Sequence, residues 1–451
     1  MLGINKEPEI SVGILSEEKI EFELYGDFKS ADISENLSGR FTAGIAGDKI
    51  ICKTDSSIIE SKDEIIFVPK DIKSDSFLIK NVTIGVKFHW ERKEKQRFNG
   101  ILKLKKDKNK VTVINIISIE NYLISVISSE MSAKSTLDFL KAHAIVSRSW
   151  FLAQIQKSKA LKKGKTKYST VYNTDKEHLR WYDREEHQLF DVCADDHCQR
   201  YQGITKIFTS VAKQAVEETR GIVLVSDNKI CDARYSKSCG GISESFENVW
   251  EPVKYSYLTS VIDYKFEPEN FSTDFSKENN AAKWIKGSPT SFCNTRDEKV
   301  LSQVLLDYDQ ETLDFFRWKI EYTQEEISEL IKLKSGIDFG KIIDLVPVER
   351  GNSSRLSKLK IIGTKKTLII GKELEIRKFL SPTHLYSSAI IIEKENIEEN
   401  IPKKFIIRGA GWGHGVGLCQ IGAALMGSQG YRFDEILLHY FTAAEIKKIY
   451  Q

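Results

Sequence analysis

The chain has 451 residues, 41% hydrophobic and 29% charged, enough for two or three units with cores of their own. A formal net charge of +3 excludes the concentrated basic face that a nucleic-acid partner needs. No stretch reaches roughly 18 apolar residues, so no transmembrane segment is expected. Seven cysteines are too few, and odd in number, for a disulfide scaffold.

The start, MLGINKEPEISVGIL, lacks the basic and then long apolar layout of a secretory signal. Taken alone it points to the cytoplasm, although a trimmed mature chain would read the same. Residues 9 to about 119 then read as short strands. Ile10, Val12 and Ile14 alternate with polar or small residues, as do Ile20, Phe22 and Leu24. Further runs are Ile65 to Val68, Val82 to Phe88 and Ile101 to Leu104, with turns at Gly26-Asp27 and Asn99-Gly100. The basic residues Lys103, Lys105, Lys106, Lys108 and Lys110, diluted by Asp107, read as a solvated strand edge or hairpin, with loose attraction toward an acidic polymer as the alternative.

The texture changes at Glu120. Leu137, Leu140, Ala144, Ser147, Phe151 and Leu152 recur at helical steps, which predicts a helix of about 20 residues. Ser129-Glu130-Met131 sits just ahead of it, and Ser135 or Thr136 would cap it. Residues 203 to 240 bring another helical pattern and a strand at Ile222 to Val225. From 265 to 400 Lys, Glu, Asp and Asn abound. Thr323 and Glu326 have capping-box spacing before Ile327, Leu330 and Ile331, and strands follow at 357 to 362 and 367 to 370. A glycine-rich loop and helical patterns at Leu418 to Met426 and Phe433 to Tyr440 close the chain. The expected class is α+β. Its divisions are a β-rich region at 1–118, a core at 119–264, an inserted or accessory module at 265–400 and returning core at 401–451.

Four segments carry chemistry. Glu130, between Ser129 and Met131 beside an apolar helix, is a carboxyl that burial could keep protonated as an acid catalyst requires. His187, Cys193, His197 and Cys198 make a tetrahedral zinc set within twelve residues. A Cys193–Cys198 disulfide and unliganded side chains are the alternatives, with His178, Asp195 and Asp196 as substitute ligands. Ser238, Gly240 and Gly241 offer a tight turn with hydroxyl donors nearby. In Gly409 to Gly422, glycines alternate around Trp412 and His414, so backbone could approach a ligand while an aromatic face and an imidazole meet it. The loop has neither a terminal Gly-Lys-Ser/Thr nor a dinucleotide-binding spacing.

Together these segments resemble the SpoIID/LytB family, the stage II sporulation protein D and amidase-enhancer group. The matching pieces are ENYLISVISSEM, LKAHAIVSRSW, SKSCGGISESFENVW with YLTSV after it, and GWGHGVGLCQIGAALMGSQGYRFDEILLHYF. They cover roughly residues 110–260 and 400–450. Residues 265–345 match no segment of it, and Arg350-Gly351 with Ser354-Arg355 would let the core resume near 345. The resemblance implies a SpoIID-like catalytic core that acts as a lytic transglycosylase on peptide-free peptidoglycan strands, with Glu130 as acid and then base. It also implies a structural Zn2+ on His187, Cys193, His197 and Cys198. Trp412, His414 and Gln420 would hold glycan, Ser238 standing behind them, and the location would be extracytoplasmic. Ser129 and Ser132 stand where relatives commonly have alanine and proline, His143 where glutamine is usual and Cys419 where serine is common. The resemblance equally admits a glycan-binding activator of a cell-wall amidase. A hydrolase would need a second carboxylate, for which Glu120 and Glu244 are nearest.

Overall fold

The computed structural model describes residues 6–30, 33–54, 57–85, 91–132, 135–162, 170–181, 187–195, 197–206, 210–305 and 314–451. Packing divides the chain into two units, each assembled from separated stretches. Residues 1–133, 186–222 and 448–451 form one; residues 134–185 and 223–447 form the other. The helices among the described residues are α1 (Ile119–Glu130), α2 (Leu137–Lys162), α3 (Ser210–Glu218), α4 (Glu278–Lys286), α5 (Glu298–Val304), α6 (Gln324–Ser335), α7 (Glu373–Phe379), α8 (Gln420–Ser428) and α9 (Phe433–Tyr440).

The first unit is built on strands β1 (Glu9–Glu17), β2 (Lys19–Ser30), β3 (Ile33–Ala46), β4 (Lys49–Lys53), β5 (Ile58–Ser61), β6 (Glu64–Pro69), β7 (Ser76–Ile84), β8 (Arg92–Asn99), β9 (Ile101–Asp107) and β10 (Lys110–Ser118). Their order in the sheet is β1-β10-β9-β6-β2-β3-β4-β5, with β7 paired to β2 and β8 to β7. Alternation turns one face inward: Ile20, Phe22 and Leu24 of β2 are buried, and Phe22, Phe41 and Phe67 pack with ring centres 5.1 to 5.6 Å apart. The lysine run is the β9–β10 hairpin, where Lys103 and Lys105 pair with Glu64 and Lys105 also with Asp63. The run expected at Val82 to Phe88 ends as a strand at Ile84, and residues 86–90 lie outside those described.

β10 runs directly into α1, whose entry is capped by the Ser118 hydroxyl accepting from the Asn121 N–H. The segment 187–202 then crosses this unit. Val192–Cys193 pairs in parallel with β1, and Asp191 accepts from the Ser11 N–H and hydroxyl at 2.9 and 2.7 Å. Tyr201 stacks on Tyr122 at 5.1 Å and donates to Asn115 Oδ1 at 2.6 Å.

In the second unit, α2 is a 26-residue helix whose buried middle packs against α8 and α9. One sheet joins Val171–Asn173, Glu177–Arg180, Thr367–Gly371, Leu356–Gly363 and Ile342–Arg350, and a second joins Arg317–Thr323, Ile401–Ala410 and Ile390–Glu398. α6 begins with the expected capping box of Thr323 and Glu326. It covers a core that includes Trp318, Ile327, Ile331, Phe339, Ile361, Ile370 and Phe405. Within residues 265–305, α4 buries Ala281, Trp284 and Ile285 against Ile391 and Ala410. The class is α+β, with a β-rich N-terminal region.

Candidate functional site

In the first unit, Glu130 is the last residue of α1, half-buried between the buried Ser129 and Met131. Its Oε1 accepts the Arg200 N–H at 3.1 Å. Arg200 is held there by its neighbours. The Tyr201 N–H reaches Ala194 O at 3.0 Å, the Gln202 N–H reaches the Ser125 hydroxyl at 3.3 Å, and Gln199 Oε1 accepts from Tyr122 at 3.3 Å.

The same loop gathers His187, Cys193, His197 and Cys198, with one donor atom of each within 4.8 Å of the others. Nitrogen-to-sulfur separations are 3.4 Å for His187–Cys198, 3.5 Å for His197–Cys198 and 3.8 Å for His197–Cys193. A tetrahedral zinc at about 2.1 Å from nitrogen and about 2.3 Å from sulfur spaces such atoms about 3.6 Å apart. The donors therefore fit the ion in chemistry and in spacing. Both cysteines are free thiols in this structure. The Cys198 thiol, then His187 and His197, pull the Cys193 thiol down to about 2 against the opposing effect of burial. Of the substitute ligands, His178 belongs to the second unit and bonds Glu375 at 2.9 Å. Asp195 joins the turn through its carbonyl, which accepts from the Cys198 N–H, and Asp196 lies outside the described residues.

Two other carboxylates from the sequence reading are sequestered. Glu120, at the opposite end of α1, is buried and accepts from the Gly221 N–H at 3.2 Å and the Tyr450 hydroxyl at 2.6 Å. Ten residues of helix put it roughly 15 Å from Glu130 along the axis. Glu244, in the second unit, is fully buried. It accepts from the N–H groups of Ser245, Asn352 and Ser353, the Asn248 amide and the Ser353 hydroxyl, at 2.6 to 3.1 Å.

The glycine-rich loop and the Ser236–Gly241 turn meet in the second unit as two backbones in contact. Ser238 and Trp412 exchange N–H···O bonds of 3.0 and 2.8 Å. A Cβ on Gly240 would sit 2.8 Å from Gly411 N, and one on Gly415 would sit 2.4 Å from the Arg355 guanidinium carbon. Glycine density in the loop thus serves close packing against protein. Arg355 is buried and donates to Cys239 O, Gly413 O and the Ser353 hydroxyl, while Arg317 donates to Gly240 O. These two arginines fix the turn's carbonyls. Arg317 has no local pattern around it that would have revealed this.

Of the expected ligand contacts, Trp412 presents a half-buried ring stacked on Tyr386 at 4.1 Å and flanked by Phe315 at 4.6 Å. No sequence motif marked Tyr386 as the neighbour of Trp412. His414 accepts the Val416 N–H at Nδ1, 3.0 Å, and meets the Trp250 ring edge-on at 5.1 Å. Packing around it, then the charges of Arg234, Arg377 and Arg355, pushes its imidazole well below the ordinary range, so the ring is neutral. Gln420 is buried, with its amide nitrogen 3.1 Å from His143 Nε2. Ser238 is also buried; its hydroxyl has no partner among the described residues. Gly240 and Gly241 complete the turn beneath Trp412.

Residues 107–225 match the family described as Stage II sporulation protein, SpoIID. Those residues form a SpoIID domain within the chain. Residues 244–417 match a second family described only as a domain of unknown function. An uncharacterized protein of Brachyspira hyodysenteriae is 25% identical over 334 residues, 74% of this chain and 68% of that one. Stage II sporulation protein D of Bacillus subtilis is 23% identical over 336 residues, 74% and 75% of the two chains. The Amidase enhancer of the same species is 24% identical over 251 residues, 53% of this chain and 33% of its own. Glu130 and all four His/Cys donors fall inside the first match. Trp412 and His414 fall inside the second.

Proposed function

We propose that this protein is a lytic transglycosylase of the bacterial cell wall in which Glu130 is acid and then base. The SpoIID match and the relatives named for sporulation and amidase enhancement support a cell-wall role, and hence action outside the cytoplasmic membrane. Among the described residues, no helix is long and apolar enough to cross a membrane. The observation that carries the finer reading is the state of three carboxylates. Glu130 is partly exposed at a helix end, whereas Glu120 and Glu244 are buried and spent on structural hydrogen bonds. Hydrolytic glycosidases need two carboxyl groups roughly 5 to 9.5 Å apart. A single one suffices when the nucleophile belongs to the substrate.

Glu130 gives its proton to the glycosidic oxygen between N-acetylmuramic acid and N-acetylglucosamine. The muramic C6 hydroxyl then attacks C1, and Glu130 takes that hydroxyl's proton. The product ends in a 1,6-anhydro sugar, and no water is consumed. General acid–base action of this kind contributes about 10² to 10⁴ in rate. Trp412, half-buried against Tyr386 and Phe315, would be the second unit's contact to glycan. A Zn2+ on His187, Cys193, His197 and Cys198 would have all four positions filled by protein, and so a structural part. It would fix the loop that delivers the Arg200 N–H to Glu130.

Mass spectrometry of products from peptide-free glycan strands tests this, comparing the wild type with Glu130→Gln. Anhydro-muramic ends from the wild type and none from the variant are expected. Reducing ends would replace the transglycosylase reading with hydrolysis. Glycan binding without cleavage in both would favour the activator reading that the amidase-enhancer relative supports.

A further inference from the structure

A second donor cluster lies in the second unit, away from the His/Cys loop. Cys239, Asp263, Cys293 and Cys419 are all buried, and one donor atom of each lies within 4.8 Å of the others. The Cys239 and Cys293 sulfurs are 3.7 Å apart. A tetrahedral ion with metal–sulfur bonds of about 2.3 Å separates its sulfurs by about 3.8 Å, so this pair already spans one edge of such a polyhedron. The Cys419 sulfur accepts the Cys239 N–H at 3.2 Å. Asp263 is oriented by two bonds, from the Cys293 N–H to Oδ2 at 2.8 Å and from the Tyr440 hydroxyl to Oδ1 at 2.6 Å. Ligating carboxylates are commonly steered by hydrogen bonds of this kind.

A buried carboxylate is costly to hold ionised, and a cation shared with the three sulfurs removes that cost. Thiolate donors select zinc over magnesium or calcium. The donors lie too close together to straddle a polynuclear iron–sulfur core, which leaves a single ion. We propose that Cys239, Asp263, Cys293 and Cys419 form a second, structural zinc site that ties the glycine-rich loop to the Ser236–Gly241 turn and to the 263–293 segment. Cys419 closes the loop, Cys239 lies in the turn, and Asp263 N–H bonds Gly241 O at 3.1 Å. Cys293 anchors the segment that leads to α5. The site belongs to the second unit and Glu130 to the first, and the ion does not depend on the reaction assigned to Glu130.

Zinc content of the purified full-length chain, measured by elemental mass spectrometry, tests the site. Cys419→Ser should lower the content by one equivalent per chain, whether or not the His/Cys loop also holds zinc. In a Cys193→Ser/Cys198→Ser chain, one equivalent should remain. If Cys419→Ser does not fold, as judged by circular dichroism, cobalt loading of the Cys193→Ser/Cys198→Ser chain decides instead. A thiolate-to-cobalt charge-transfer band of three-sulfur intensity supports the site, and its absence overturns it. Unchanged zinc in folded Cys419→Ser, or a Cys239–Cys293 disulfide in non-reduced peptide maps of the freshly purified chain, would equally overturn it.

Discussion

Burial of the His143 ring within α2, and then the charge of Lys237, push its imidazole down to about 3. The folded chain keeps it neutral, while the unfolded chain protonates it below about pH 6.5. The unfolded state then binds more protons, so stability falls as pH drops from about 6.5 toward 3. His384 and His439, each lowered by burial to about 4, act in the same direction. Urea unfolding at pH about 7 and about 4.5 should show this loss, and His143→Gln should shrink it. Ser129 raises the opposite issue. Its buried hydroxyl has no partner among the described residues. Ser129→Ala should raise stability by about 1 kcal/mol, read as a higher urea midpoint, with glycan cleavage unchanged.

Elements differed in how plainly the sequence announced them. α2 was legible because its apolar residues recur at helical steps. α1 was not, because Ile119, Tyr122, Leu123, Ile124, Ser125, Val126 and Ile127 are buried around most of its circumference, which erases the period. Its run of isoleucine and valine also continues the β-branched texture of β10. Glu130 does lie ahead of α2, as expected, but it also ends a helix that the sequence did not announce. The glycine-rich loop was found from its composition, but the partner of each glycine was not. Arg355 and the Ser236–Gly241 turn come from distant parts of the chain, and no local pattern announces a contact with them. Gly415 has φ +76° with the Arg355 guanidinium pressed against it. Arg355 is itself pinned by buried hydrogen bonds and cannot yield. Gly415→Ala should cost roughly 2 kcal/mol or more, measured as a drop in the urea midpoint.

At the scale of the molecule, the His187–Cys198 set was legible because its members lie within a dozen residues. Cys239, Asp263, Cys293 and Cys419 were not, since 54 residues separate Cys239 from Cys293 and 180 separate it from Cys419. Units drawn from separated stretches likewise have borders that no single change of texture marks, and the change read at 265–400 falls inside the second unit. The first unit takes its last piece from residues 448–451, where the Tyr450 hydroxyl reaches Glu120. Tyr450→Phe should destabilise this unit by about 1 to 3 kcal/mol, visible as earlier loss of its signal in urea.

That same contact joins positions 330 residues apart. A ribosome delivers the chain N-terminus first, so α1 emerges long before the phenol that locks its entry. Any chain stalled short of Tyr450 holds Glu120 without that partner, however complete its other strands and helices. The helix that ends in Glu130 thus gains this hydrogen bond only after residue 450 has been made, long after its Ser118 cap and the Gly221 N–H are in place.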